Sequence, residues 1–173
     1  MLISPAYRTL NRQLHEARSD YGKSGARWAG SIAQIADKIG AASILDYGAG
    51  KGTLARALEG RAIRQYDPAV PGIDAPPEPA DLVACTDVLE HIEPECLDSV
   101  LDHLRGLTRR VLFAVVATRP AKKTLPDGRN AHLIQEPVEW WLPRLWPRFH
   151  VKRFDDLGGE FVAIGVPRQA DRH

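Results

Sequence analysis

The chain has 173 residues, 44% of them hydrophobic, and a formal charge of +1. That is enough for one domain with a substantial core and too little for a second full one, and the charge gives no general attraction for nucleic acid. Arg and His break up the apolar positions of the first twenty residues, so neither a signal peptide nor a membrane span is expected, and the default is a cytoplasmic protein.

In chain order, Tyr7, Leu10, Leu14 and Ala17 recur at helical spacing, as do Ile32, Ile35, Ala36 and Ile39 before Gly40, so two amphipathic helices should precede the first strand. Between them "DYGKSG" (20–25) reads as a turn. "SILDY" is a short apolar strand, "KGTLARALEG" a helix that Gly60 can end, and "RAIRQYD" a second, weaker strand. "PAVPGIDAPPEPA" holds five prolines in thirteen residues, which forbids a regular element. "DLVACTDV" is a buried strand. Pro94 should open a helix lined by Leu97, Val100, Leu101 and Leu104, with Glu93 and Glu95 near its positive end.

"RRVLFAVVA" has the apolar run of a strand central to a parallel sheet. A polar loop, "TRPAKKTLPDGRNAHLIQ", follows, then a short helix "EPVEWWLPRLW" broken or bent at Pro143, and a terminal hairpin of "FHVKRF" and "GEFVAIGV". Alternating strands and helices with such a hairpin specify an α/β fold with an open, mostly parallel sheet covered on both faces. One domain over 1–173 is expected, with N-terminal helices (1–40), a ligand-binding half (41–104) and a substrate-side half (105–173). Cys85 and Cys96, the only cysteines, fall in apolar and helical patterns and read as buried thiols.

Charge is unevenly spread. Residues 41–104 carry four Lys/Arg against twelve Asp/Glu, and residues 105–173 thirteen against seven. An acidic middle suits a cationic small ligand and basic flanks an anionic substrate; ordinary solvated faces account for the same counts.

Ligands of open α/β sheets sit at the carboxyl ends of the strands, where "ILDYGAGKG" (44–52) lies. Gly48 and Gly50 permit positive φ and let the backbone lie against a ligand, while Gly52 lets the next helix pack on the strand. The spacing is G-x-G-x-G, not the G-x-G-x-x-G of dinucleotide sites, and Asp46 would repel a pyrophosphate but attract an ammonium or sulfonium group. A dehydrogenase is therefore disfavoured.

"DYGAGKG" resembles the first motif of class I S-adenosylmethionine-dependent methyltransferases, and the order of elements from about residue 20 to about residue 166 matches more loosely. The resemblance implies the Rossmann-like fold of that family and S-adenosyl-L-methionine as cofactor. Gly48 and Gly50 would line its methionine part, Asp46 would hold its amino group directly or through water, and Asp67 would accept hydrogen bonds from the ribose hydroxyls. The family usually places a third strand and a helix between its second and fourth strands; here only the proline-rich loop fills that space, so the sheet should be shortened there. Asp74 is one candidate to read the adenine in their place.

"CTDVLEHIEPE" (85–95) carries neither the Asn/Asp-Pro-Pro-aromatic motif of amino-directed DNA methyltransferases nor the Pro-Cys nucleophile of cytosine-C5 enzymes. Asp87, Glu90 and His91 fall near the expected transfer site, with Asp87 a candidate cofactor contact and His91 or His132 a candidate general base; Glu90 and His91 serving only to stabilise local structure is the bland alternative. Asp87-x-x-Glu90-His91 with His132 also resembles the metal-binding motif of small-RNA 3′-terminal 2′-O-methyltransferases, which implies Mg²⁺ or Mn²⁺ there, although Asp87 replaces the usual glutamate. Arg119, Lys122, Lys123 and Arg129, with Trp140 and Trp141 beyond, can grip phosphates and stack bases, or be solvated cations and core aromatics. Tyr21 and Ser24 are candidates to close over the cofactor.

The expected activity is S-adenosylmethionine-dependent methyl transfer to an acceptor of open class, nucleic acid being compatible but not required. Metal-assisted RNA 2′-O-methylation and a non-catalytic cofactor-binding or interaction domain are the competing readings. The sequence leaves the oligomeric state open.

Overall fold

The computed structural model describes residues 1–18, 22 and 24–169. Helix α1 (Pro5–Ala17) starts where Ser4 Oγ accepts the Tyr7 N–H at 3.1 Å and Pro5 occupies the first turn, where a backbone N–H has no helical partner. A 3₁₀ turn (Ser24–Trp28) leads into α2 (Ala29–Ile39), which ends at Gly40 in the left-handed conformation. Strand β1 (Ile44–Tyr47) is buried along its whole length.

The helix expected over 51–60 is only α3 (Thr53–Ala57), because Gly52 and Gly60, both at positive φ, bracket it. Strand β2 (Ile63–Tyr66) and strand β3 (Ala80–Thr86) follow, and the chain between them forms no helix or strand, as the prolines require. Pro94 opens a 3₁₀ turn (Pro94–Cys96) rather than the α-helix itself; α4 (Leu97–Leu107) begins after it. Strand β4 (Thr108–Ala117) then leads to the long loop, α5 (Val138–Leu145) and the hairpin of β5 (Phe149–Asp156) and β6 (Glu160–Pro167). Helix α5 is not broken at Pro143 but runs through it; the Arg144 side chain donates to the Trp140 carbonyl at 2.8 Å and ties the two turns together.

The strands form one sheet in the order β2-β1-β3-β4-β6-β5, parallel from β2 to β4 and antiparallel through β6 and β5. Chain order reverses at the β1–β3 neighbours, so a crevice opens beyond their carboxyl ends. Alternation along the strands divides the core. Val83, Cys85, Leu112 and Ala114 face one layer with Leu101, Leu104 and Trp141, while Leu82, Ala84 and Phe113 face the other with Ile32 and Leu54. Cys85 and Cys96 are buried free thiols. A third, smaller cluster joins Tyr7 and Leu14 of α1 to Leu125 and Ala131 of the long loop, and so lays α1 across the loop at the edge of the crevice. No described helix is long and apolar enough to cross a membrane.

Candidate active site

A cavity of about 490 Å³ occupies the crevice. Its walls include Gly48 and Gly50 after β1, Asp67 after β2, Asp87 and His91 after β3, and Arg119 and His132 beyond β4. Most of the residues singled out in the sequence therefore meet in one place.

At the glycine turn Gly48, Gly50 and Gly52 all adopt positive φ, but their bareness serves more than a ligand. A Cβ on Gly48 would stand 2.3 Å from Val88 Cγ2, one on Gly50 would stand 3.0 Å from the Gly22 carbonyl oxygen, and one on Gly52 would stand 2.3 Å from Gln65 Nε2. The N-terminal segment is bound to this turn: the Lys51 N–H donates to the Gly22 carbonyl at 3.0 Å and Lys51 Nζ to the His15 carbonyl at 2.7 Å. Ser24 also lines the cavity; Tyr21 lies outside the described residues.

Asp67 is held by two backbone donors. Its Oδ2 accepts the Gly50 N–H at 3.0 Å and its Oδ1 accepts the Ala69 N–H at 2.9 Å. Each oxygen retains acceptor capacity for a further donor. Asp46 is buried within β1 and does not line the cavity. Burial, and then the charge of Asp67, push its carboxyl up to about 7. Asp74 is exposed, accepts the Gly72 N–H at 3.2 Å within its own loop, and does not reach the cavity.

Among the described residues Asp87 is the only non-glycine at positive φ, at 54°, a strained conformation that Asp tolerates better than most and that often marks functional positions. Beside it Glu90 is fully buried. One carboxylate oxygen accepts the Ala117 N–H at 3.0 Å and Oε2 has no partner among the described residues. Burial, then the Asp87 charge, raise its carboxyl well above the ordinary value.

His91 and His132 stand edge to face, ring centres 4.7 Å apart. Nδ1 of His91 lies 2.7 Å from the Ala131 carbonyl and Nδ1 of His132 lies 2.6 Å from the Arg119 carbonyl. A carbonyl only accepts, so in each ring Nδ1 carries the proton and Nε2 the lone pair. Burial and the neighbouring His132 hold His91 down to about 4, and burial lowers His132 as well. One ligand atom from each of Glu90, His91 and His132 lies within 4.8 Å of the other two.

The remaining candidates divide. Arg119, Lys122 and Lys123 line the cavity, whereas Arg129 pairs with Asp127 at 2.8 Å. Trp141 is core, donating through Nε1 to the Glu136 carbonyl at 3.2 Å, and Trp140 is covered by the Arg144 guanidinium; neither is a platform in the cavity. The wall contributed by α1 was missing from the sequence reading. Tyr7, Asn11 and His15 line the cavity, and their i, i+4, i+8 spacing, one stripe of a helix, is the signal that marks them. Glu93 does not merely face its helix: it accepts the Ser4 N–H at 2.8 Å and the Ser4 hydroxyl at 2.6 Å, fixing the start of α1.

A family profile described as a methyltransferase domain matches residues 14–161. No curated protein matches the sequence. Among solved structures the chain is similar to the 1,6-didemethyltoxoflavin-N1-methyltransferase of Burkholderia thailandensis, with 17% identity, a TM-score of 0.68 and coverage of 98% of this chain and 92% of that one. The magnesium protoporphyrin IX methyltransferase of Synechocystis PCC 6803 is similar at 15% identity and a TM-score of 0.63, covering 94% and 97%. An rRNA methylase of Escherichia coli is similar at 16% identity and a TM-score of 0.55, covering 96% and 78%. At such identities the likeness establishes a shared Rossmann-like fold and leaves the acceptor open.

Proposed function

The chain belongs to the methyltransferase-domain family, and from that membership we propose that it transfers a methyl group from S-adenosylmethionine to an acceptor held in the same cavity. The observation that carries the reading is the clamp between the glycine turn and Asp67, in which Gly50 donates its N–H to a carboxylate that opens onto the cavity. Two backbone donors orient Asp67, and its remaining lone pairs suit the adjacent hydroxyls of a ribose. Solved structures of the same fold, such as the 1,6-didemethyltoxoflavin-N1-methyltransferase with bound S-adenosylhomocysteine, support the choice of cofactor.

The cofactor supplies a methyl group already activated by a positively charged sulfur. The protein has to align the acceptor with it and, where the acceptor bears a proton, receive that proton. Of the two imidazoles His132 is the better proton acceptor, because His91, near 4, holds a proton too weakly. Asp87, which also lines the cavity, would favour positive charge near the transferred methyl group.

Titration calorimetry with S-adenosylhomocysteine tests the reading. Wild type should bind, and Asp67→Ala should bind at least about tenfold more weakly, the loss of a hydrogen bond to a charged group; a wild-type protein that binds none sinks it. Binding without methyl transfer to any fraction of nucleic acid, protein or metabolite extract would leave a silent cofactor-binding domain.

The cluster of Glu90, His91 and His132 favours a second reading, metal-assisted RNA 2′-O-methylation. Two imidazoles oriented through Nδ1 and a carboxylate with an unpartnered buried oxygen fit a divalent cation such as Mn²⁺, which Glu90, His91 and His132 would hold. Activity abolished by chelator and restored by Mn²⁺ supports this reading, and undiminished activity in His132→Ala removes it.

A further inference from the structure

We propose that Arg119 and Lys122 form an anion subsite on the β4 side of the cavity, and that the methyl acceptor is a small molecule carrying a carboxylate or phosphate group. The proposal rests on the methyl-transfer reading and names the acceptor class it leaves open.

Charge around the cavity is sorted along the sheet. Asp67 follows β2 and Asp87 follows β3, whereas Arg119 and Lys122 follow β4. The acidic side suits a cationic cofactor. On the other side, neither the Arg119 nor the Lys122 side chain makes a hydrogen bond or ion pair among the described residues, although the Arg129 that follows on the same loop has its carboxylate in Asp127. Arg119 and Lys122, with Lys123 beside them in the same lining, raise the local potential on this side, and an anion entering the cavity relieves it.

The segment that bears these cations is also held in shape. The Asn130 side chain accepts the Ala121 N–H at 2.9 Å and the His132 N–H at 2.9 Å, and donates to the Ala121 carbonyl at 2.9 Å. One amide thus staples 119–122 to 130–132. The Arg119 carbonyl orients His132, and the Arg119 stem lies over Gly159, where even a Cβ would come within 3.4 Å of Cδ. The backbone that carries Arg119 is therefore tied to His132, so an anion gripped by Arg119 lies beside that imidazole in the cavity. A guanidinium fork matches either a carboxylate or a phosphate. A cavity of about 490 Å³ shared with the cofactor leaves room for a small acceptor.

The test uses the full chain saturated with S-adenosylhomocysteine. Benzoate and inorganic phosphate are titrated separately, with binding followed by calorimetry and by the NMR signals of the arginine Nε–H groups. At least one anion should bind, with benzoate and phosphate separating the two sources of charge, and Arg119→Gln and Lys122→Gln should each weaken it about tenfold, the loss of a charge-assisted contact. Undiminished S-adenosylhomocysteine affinity in both variants shows that they fold. Binding of neither anion, or equal binding in the double variant, overturns the subsite. A phosphorylated hexanucleotide that binds more tightly than both small anions overturns the small-molecule assignment. Failure of wild type to bind S-adenosylhomocysteine counts against the methyl-transfer reading instead, so the two failures are distinct.

Discussion

Val88 fills the space that a side chain at Gly48 would occupy: a Cβ there would meet Val88 Cγ2 at 2.3 Å. The glycine that opens the turn after β1 is thus bare because the residue after Asp87 packs on it. Gly48→Ala should destabilise the fold by about 3 kcal/mol, combining left-handed strain with overpacking. In a double-mutant cycle Val88→Ala should recover part of that loss, leaving the strain of φ at 76°. Thermal melts of the four proteins decide it, and strict additivity would mean the clash is absorbed elsewhere.

Asp46 gives a pH signature. Its folded-state carboxyl titrates near 7, above the ordinary value of 3.8, so between those values the native state binds more protons than the unfolded one. The sign is fixed: its stability contribution is greatest at low pH and is lost as pH rises from about 4 to about 7, by up to about 4 kcal/mol. His91 works in the opposite direction over part of that window, since its folded-state value lies below the ordinary one. The clean quantity is therefore the stability of wild type minus that of Asp46→Asn, which should fall steadily with rising pH in urea titrations. A flat difference would mean that Asp46 is ordinary.

A cofactor whose charge reaches the buried Asp46 from the neighbouring cavity would link pH to binding. If a bound cation draws Asp46 into its charged form, wild-type affinity for S-adenosylmethionine should rise as pH increases from 6 to 8. Asp46→Asn should lose that slope, and calorimetry in buffers of different ionisation enthalpy should show proton release on binding only for wild type.

Glu90 separates the two functional readings. As a buried neutral acid holding the Ala117 N–H, it should tolerate Glu90→Gln with little loss, while Glu90→Ala should cost about 2 kcal/mol or more for the orphaned N–H. If the residue instead holds a divalent cation, Glu90→Gln should strip metal from the purified protein, as read by plasma mass spectrometry, and lose the stability that the metal confers.

The Ser4–Glu93 contact predicts a local effect. Ser4→Ala removes both the cap of α1 and one bond to Glu93, worth about 1 kcal/mol. Amide exchange over residues 5–17 should accelerate while β3 and β4 remain protected, and S-adenosylhomocysteine affinity should drop because His15 borders the cavity. Uniform acceleration would show that α1 is not a separate unit.

Much of this architecture is readable in the chain because buried strands announce themselves. "LVACT" and "VLFAVVA" are apolar on both faces, and the structure buries both faces of β3 and β4. The glycine turn is legible because positive φ and close approach restrict residue choice severely, whereas the carboxylate after β2 stands out only through the family resemblance. What periodicity does not carry is contact between distant segments. Glu93 and Ser4 are 89 positions apart, and Glu93 reads locally as an acid at a helix start. Asp46 flanks the glycines in sequence, but strand alternation puts Tyr47 in the cavity lining while Asp46 is buried behind it, a distinction the motif alone does not carry.

Helix α1 meets the loop after β4 through Tyr7, Leu14, Leu125 and Ala131, while His15 and Lys51 tie its far end to the glycine turn. One helix therefore borders both the glycine turn and the loop after β4. If the two reactants occupy those two sides, moving α1 for one disturbs the berth of the other, and arrival and departure should follow a fixed sequence, visible as one product competing with a single substrate while the other product competes with neither.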